Sequence, residues 1–314
     1  MWDIVAGILI VAAGSLGLFW CGLAVSRRSS TVAAGLALVA VVFILWFALA
    51  VHGTLLMARL LPFSGVIVLG NWIPLAAAFL AGIVGGQEVI PLWRRLTFTA
   101  LMLFSAWYTN LYSLSGQPPE SRDLWSRRRI CLQTTPSSCS ACAAVMLLRE
   151  CGIRSDEQEM IRLCLTGYKG TPPLGLYRGL KAKTAGTDWT VQVVRCDAEE
   201  LPRQTPTPAI LLVTLDGPKE TLRAKARAWL GAPAVTDHTV ILYRFTEDGK
   251  AVIGDSAGGV EPCSGRYFWT LGHMKERWGG EGLRLVPRRP QSAADTAPSG
   301  RDDVLTTALR PPSE

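Results

Sequence analysis

Charge is nearly absent from the first 114 of the 314 residues. Asp3, Arg27, Arg28, Arg59, Glu88, Arg94 and Arg95 are the only Asp, Glu, Lys or Arg side chains there. A water-exposed domain of that length would need a charged surface, so this region is read as lipid-facing. No basic segment precedes the first apolar run, and its arginines follow it, which argues against a cleaved signal peptide. No G-x-x-x-x-G-K-[ST] motif occurs, so no Walker-type nucleotide site is expected. The chain has three histidines and a single C-x-x-C (Cys139 and Cys142), too little for a structural zinc site. No cofactor and no metal are implied. The formal net charge of +7 is spread without a long basic stripe, so nucleic acid is not an expected partner. There is no internal repeat.

What is present begins with four apolar runs, at 4–25, 31–51, 61–86 and 96–114. A bilayer core about 30 Å thick takes roughly 20 helical residues, and each run reaches that length. Trp20, Trp46, Trp72, Trp93 and Trp107 mostly sit near run ends, where amphipathic rings favour the interface. An integral protein of a cell inner membrane is expected, with the bilayer as partner. Arg27 and Arg28 follow the first run, and Arg94 and Arg95 precede the fourth; Arg59 alone lies between the second and third. Positive-inside counting puts the rest of the chain on the extracytoplasmic side, while Arg122 and residues 127–129 pull the other way. Seven cysteines follow residue 114. If one is catalytic, six remain, compatible with disulfides or equally with buried thiols.

Residues 115–129 are polar, include Pro118 and Pro119, and read as a linker. Residues 287–314 have too little apolar content to fold and read as a disordered tail. The 157 residues between them suffice for one core. From Cys139 the stretch CSACAAVMLLRECG reads as a helix, preceded by Pro136, Ser137 and Ser138 and stopped by Gly152. Further helices are expected at 156–165 and 174–185. Strands are expected at 190–195, 209–215, 238–245 and 251–255. The last two flank Glu247-Asp248-Gly249, a hairpin signal. Helices first and antiparallel strands later indicate an α+β domain.

A reactive cysteine works as a thiolate, which a helix N-terminus favours, and Cys139 opens a helix. Gln133, six residues earlier, offers an amide donor for an oxyanion. The base must be an imidazole held by a carboxylate or amide, and only His238 and His273 lie in this domain. His238 opens an apolar strand and Asp255 ends the next one. They lie ten and seven residues from the turn, so a bulge or a wider loop must absorb the offset. His273 is read as part of a surface helix, Trp278 as core, and Cys142 as core or a resolving thiol.

The stretch CLQTTPSSCSACAAVMLLRECG, with GTPPLGLYRGLKAKT, DHTVILYRF, VIGDS and GRYFWTLGHMKERWGGEGLRLV, resembles the bacteriocin-processing, double-glycine leader peptidases of the papain-like clan. The likeness runs over about 130–286. It implies a papain-like fold and thiol peptidase activity, with Cys139 as nucleophile, Gln133 as oxyanion donor, and His238 and Asp255 as the base pair. A peptide or protein segment is the implied substrate. Ser140 and Ser256 stand where the family has glycine and proline. The family is best known with a cytosolic peptidase ahead of an ABC exporter, whereas here the peptidase follows the helices. A papain-like acyltransferase and an idle, membrane-anchored peptide-binding module are the alternatives.

Overall fold

A computed structural model describes residues 1–112, 114, 117–215, 221–234, 236–257 and 266–288. Two long helices come first, α1 (Trp2–Arg28) and α2 (Ser30–Trp46), separated at Ser29, whose extended backbone and hydroxyl cap α2 by accepting from the Val32 N–H at 3.3 Å. A π-turn, Phe47–Val51, continues α2. Short helices α3 (Leu56–Leu60) and α4 (Val66–Leu69) lead to α5 (Ile73–Gly85), and α6 (Leu92–Tyr112) completes the region. Three segments are long and apolar enough to cross a membrane: Trp2–Arg28, Ser30–Val51 and Val66–Gly85.

Two features differ from the sequence reading. The third run is not one helix: α4 stops at Gly70, the Asn71 side chain accepts from the Ile73 N–H at 3.3 Å, and Pro74 sits in the first turn of α5. Proline is tolerated there because first-turn N–H groups lack helical partners anyway, and it disfavours helical backbone just before it. The fourth run forms α6, which is long enough but polar at its start, with Arg94 and Arg95 in the first turn.

α1 and α5 cross at backbone contact. A Cβ on Gly22 would strike the Phe79 carbonyl, and one on Gly82 the Phe19 carbonyl. Small residues give this close approach, the usual device where lipid supplies no hydrophobic drive for helix association. At one end of the bundle the Gln87 amide donates to Ser26 Oγ at 2.9 Å, and Arg95 to the Gly85 carbonyl at 3.2 Å. At the other end Trp107 and Leu114 pack with Ile4 and Ile67. The four long segments therefore run up, down, up and down.

The second half is a helix-and-sheet domain. A small hairpin, β1 (Leu124–Trp125) and β2 (Cys131–Leu132), precedes helices α7 (Cys139–Glu150), α8 (Glu157–Leu163) and α9 (Pro173–Lys183). Then follow β3 (Trp189–Arg195), α10 (Leu201–Gln204), β4 (Ala209–Val213), α11 (Leu222–Trp229), β5 (His238–Phe245), β6 (Ala251–Gly254), β7 (Arg266–Trp269), α12 (Leu271–Arg277) and β8 (Trp278–Pro287). The sheet is antiparallel in the order β3-β8-β4-β5-β6-β7, so the last strand lies inside it. One face, with Ile210, Leu212, Ile241 and Leu283, packs against α7 to α9; the other, with Leu211, Val213, Val240 and Ile253, packs under Trp269 and Met274. The alternation along each strand is the period-two pattern of a sheet covered on both sides.

The segment read as a linker, 115–129, contains β1 and is tied down: the Gln158 side chain accepts from the Ser121 N–H at 2.7 Å and donates to the Pro119 carbonyl at 3.3 Å. The segment read as a tail begins inside β8, and from 289 onward it lies outside the described residues.

Three polar links hold this domain against the helical region. Arg178 donates to both Asp3 oxygens at 2.7 and 2.9 Å. Arg227 donates to the Leu49 and His52 carbonyls at 3.2 Å each, and Glu281 accepts from the Leu55 N–H at 2.8 Å. Burial pushes the Glu281 carboxyl up, against the Leu55 N–H and the arginines Arg195, Arg227 and Arg59, which pull it down. Phe47, Leu55 and Val66 join the same apolar core as Leu147 and Leu180, so the two halves are packed as one body.

Candidate active site

Cys139 is the first residue of α7, which the apolar run Ala141–Leu148 buries against the sheet. Ser138 occupies the capping position but does not cap. Its hydroxyl turns back, donating to the Thr135 carbonyl at 3.1 Å and accepting from the Thr135 N–H at 3.3 Å. First-turn N–H groups of α7 are thus left to an anion at Cys139. Cys142, one turn on, is fully buried. Its thiol is pushed far up by the neighbouring Cys131 thiol and by burial, and stays protonated. Of the two cysteines in the C-x-x-C, only Cys139 is placed to act as a nucleophile.

His238 begins β5, and its Nε2 lies 2.7 Å from Asp255 Oδ1. The hairpin that joins them has β5 carrying one extra residue: Leu242 pairs with Ile253, yet Arg244 pairs with Val252. This bulge at Tyr243 absorbs one residue of the offset expected from the sequence; Gly254 pairs with Ile241, and the His238 and Asp255 side chains bridge the remaining stagger. Asp255 Oδ1 also accepts from the Ala257 N–H at 2.8 Å, which fixes the carboxylate. With Nε2 engaged, the other ring nitrogen, Nδ1, is the one left to interact with the Cys139 thiol.

The electrostatics of the pair oppose burial and overcome it. Burial raises the Cys139 thiol, but the bond and charge of His238, with the hydroxyl and N–H of Ser140, leave it below its ordinary value. Burial likewise lowers His238, but Asp255 and Cys139 carry the imidazole up to about 10. Both shifts favour the thiolate–imidazolium form of the pair over the neutral one.

Gln133 lies on the loop after β2. Its N–H donates to the Ser256 carbonyl at 3.0 Å, and its Oε1 accepts from Ser256 Oγ at 3.1 Å. The structure thus brings Cys139, His238 and Asp255 together and sets Gln133 against the residue following Asp255. The two departures from the family pattern both have partners. Ser140 Oγ lies 2.8 Å from Thr239 Oγ1, tying the nucleophile helix to the histidine strand, and Ser256 holds Gln133.

One supporting residue was not found from the sequence. Glu157, at the start of α8, is fully buried. It accepts from the Thr134 N–H at 3.1 Å, from Thr134 Oγ1 at 3.0 Å and, by a short bond, from Ser121 Oγ. It therefore anchors the residue next to Gln133. Asp156 and Glu159 carried a capping signal, with the Glu159 N–H donating to Asp156 at 2.7 Å, but nothing local marked Glu157 as buried. His273 lies exposed on α12, paired with Thr270 in a capping box, away from this chemistry. Trp278 packs in the second core and donates to the Cys196 carbonyl at 2.8 Å. The seven described cysteines are free thiols, and Cys263 lies outside the described residues. Among the described residues no group of three or more His, Cys, Asp or Glu side chains is arranged to hold a metal.

No family model matches the chain, and no curated protein matches it in sequence. Solved structures do match. One is a double-glycine motif protease from an AMS/PCAT transporter in complex with the leader peptide: 16% identity, 55% of this chain and 95% of that one, TM-score 0.37. Another is the peptidase domain of Streptococcus ComA, a bifunctional ABC transporter of a quorum-sensing pathway: 17% identity, 50% and 96%, TM-score 0.37. A third is the N-terminal C39-like peptidase domain of a toxin-secretion ATP-binding protein from Vibrio parahaemolyticus: 11% identity, 48% and 97%, TM-score 0.30. The structural neighbours of the chain are double-glycine peptidase domains, with a helical region preceding the corresponding domain here.

Proposed function

We propose that this chain is a membrane-bound cysteine peptidase that cleaves a peptide or protein segment at the membrane surface. The observation that supports it is the linear array of Cys139, His238 and Asp255, in which the thiol is lowered and the imidazole raised. Cys139 Sγ attacks the scissile carbonyl carbon, and the carbonyl electron pair moves onto oxygen. Gln133 Nε2 and the N-terminal N–H groups of α7 donate to that oxyanion. Collapse expels the amine, which takes the proton from His238 Nδ1 and leaves a thioester on Cys139. Neutral His238 then draws a proton from water, whose oxygen attacks the thioester; the acid departs and the ion pair is restored.

Iodoacetamide labelling of the detergent-solubilised protein, mapped by mass spectrometry, and cleavage of a fluorogenic peptide library test this. Cys139→Ala is expected to abolish the rapid labelling and the cleavage, leaving only slow alkylation of accessible thiols such as Cys21. Cys142→Ala leaves both within about twofold, since its buried thiol is protonated. Rapid labelling that survives loss of Cys139 would remove the assignment.

We propose further that four helices cross the bilayer, with the peptidase on the extracytoplasmic side. Arg27, Arg28, Arg94 and Arg95 gather at the end of the bundle remote from the sheet domain, and Asp3 and His52 at the near end. Positive-inside bias then puts the remote end in the cytoplasm. A reporter that works only outside the cytoplasm, fused after Glu314, is expected to be active. Resistance of the sheet domain to protease added to spheroplasts, with cleavage only after lysis, would reverse the orientation.

A further inference from the structure

We infer that Ser256 is a positioning residue that holds the Gln133 side-chain amide in place for the oxyanion, an inference that rests on the peptidase reading above. A primary amide has one acceptor end and one donor end, close to isosteric, and only the donor end stabilises an oxyanion. To do so the side chain must be held in place, and Ser256 holds it. Its Oγ donates to Gln133 Oε1 at 3.1 Å, while its carbonyl accepts from the Gln133 N–H at 3.0 Å. The loop is thus gripped at backbone and side chain by one residue. Among the described residues Nε2 has no hydrogen-bond partner, so the donor end is the one left for an incoming oxygen.

Ser256 is itself 3% exposed, so its hydroxyl does not exchange this partner freely for water. It also follows Asp255 directly. Asp255 orients His238 through Oδ1, and the next residue orients Gln133. Two consecutive residues at the end of β6 therefore set the general base and the oxyanion donor in one frame. A proline at this position, as in the family the sequence resembles, has no hydroxyl to offer, whereas the serine here bonds Gln133.

The test separates two reactions of Cys139 in the full-length protein. Acylation by p-nitrophenyl acetate passes through a tetrahedral oxyanion and uses Gln133. Alkylation by iodoacetamide is a displacement at carbon that forms no oxyanion and reports only the thiolate. Ser256→Ala is expected to slow acylation about tenfold, the worth of one hydrogen bond, and to leave the alkylation rate and its pH profile unchanged. Unchanged alkylation also shows the variant is folded. Ser256→Thr, which keeps the hydroxyl, restores most of the acylation rate. In a Gln133→Ala background, Ser256→Ala has no further effect, because its target is gone.

Equal loss of both reactions, or a Ser256→Ala effect undiminished without Gln133, would overturn the assignment. Wild-type protein whose Cys139 is alkylated but never acylated would instead overturn the peptidase reading itself, before any Ser256 variant is compared.

Discussion

His238→Ala is expected to lower peptide cleavage by about a thousandfold, as loss of a general acid and base typically does. The same change has a separate signature in the alkylation of Cys139. In the wild type the thiolate is present above the depressed value of Cys139 and is lost as pH falls through it. The imidazolium is present below about 10 and is lost as pH rises through that value. The reactive ion pair fills the window between. Without His238, burial acts on the thiol with only Ser140 opposing it, and the inflection of the alkylation rate moves up. Asp255→Asn is milder, about tenfold on turnover, because an amide oxygen still accepts from Nε2 while the charge assistance is gone. His273→Ala, on the exposed face of α12, changes turnover by less than about twofold. The expected order of severity is His238, then Asp255, then His273. An alkylation profile of His238→Ala that matches the wild type, or an essential His273, would break the array.

Glu157→Leu is expected to be among the most destabilising single changes in the sheet domain. Leucine fills much of the space but accepts nothing, so the Thr134 N–H and the hydroxyls of Thr134 and Ser121 lose their acceptor. A buried donor left without a partner costs about 1–3 kcal/mol, and three groups are affected, of which the backbone N–H has no other recourse. A loss of about 3 kcal/mol lowers the unfolding midpoint by about 10 °C for a domain of this size. Glu157→Gln is expected to be tolerated. Its carbonyl serves the Thr134 N–H, and its NH₂ donates to hydroxyls that rotate to accept. Because Thr134 follows Gln133, the leucine variant also loses acylation of Cys139 while its remaining folded fraction is still alkylated. Thermal unfolding in detergent, followed by tryptophan fluorescence, checks the first point, and a midpoint for Glu157→Leu equal to that of the wild type would show that the network carries no such weight.

What the sequence determined by itself is what short stretches of chain encode. The run lengths before residue 114 marked where the long helices lie, three of the four runs giving a segment long and apolar enough to cross a membrane. Pro136 and Gly152 bracketed α7, and Glu247-Asp248-Gly249 set the β5–β6 hairpin, because caps and turns depend on a few consecutive residues. Cys139, His238 and Asp255 could be named as candidates because each sits at the start or end of such an element, and Gln133 from its distance to Cys139 and from the resemblance. The need for a bulge was legible too, from unequal distances to the turn.

Other features waited on the tertiary structure. That β8 lies between β3 and β4 is a pairing of residues 65 to 98 positions apart, which no local pattern encodes. The Arg178–Asp3 link joins residues 175 apart, and it was their packing that brought a membrane helix and α9 together. Glu157 looked like any acid in the first turn of a helix; only the folding of 121–134 over it made it a buried acceptor. Ser256 read as a departure from a pattern until its hydroxyl was seen on Gln133, 123 positions earlier. Local propensity sets which elements form, whereas burial and hydrogen bonding of a given polar group depend on which distant segments close over it.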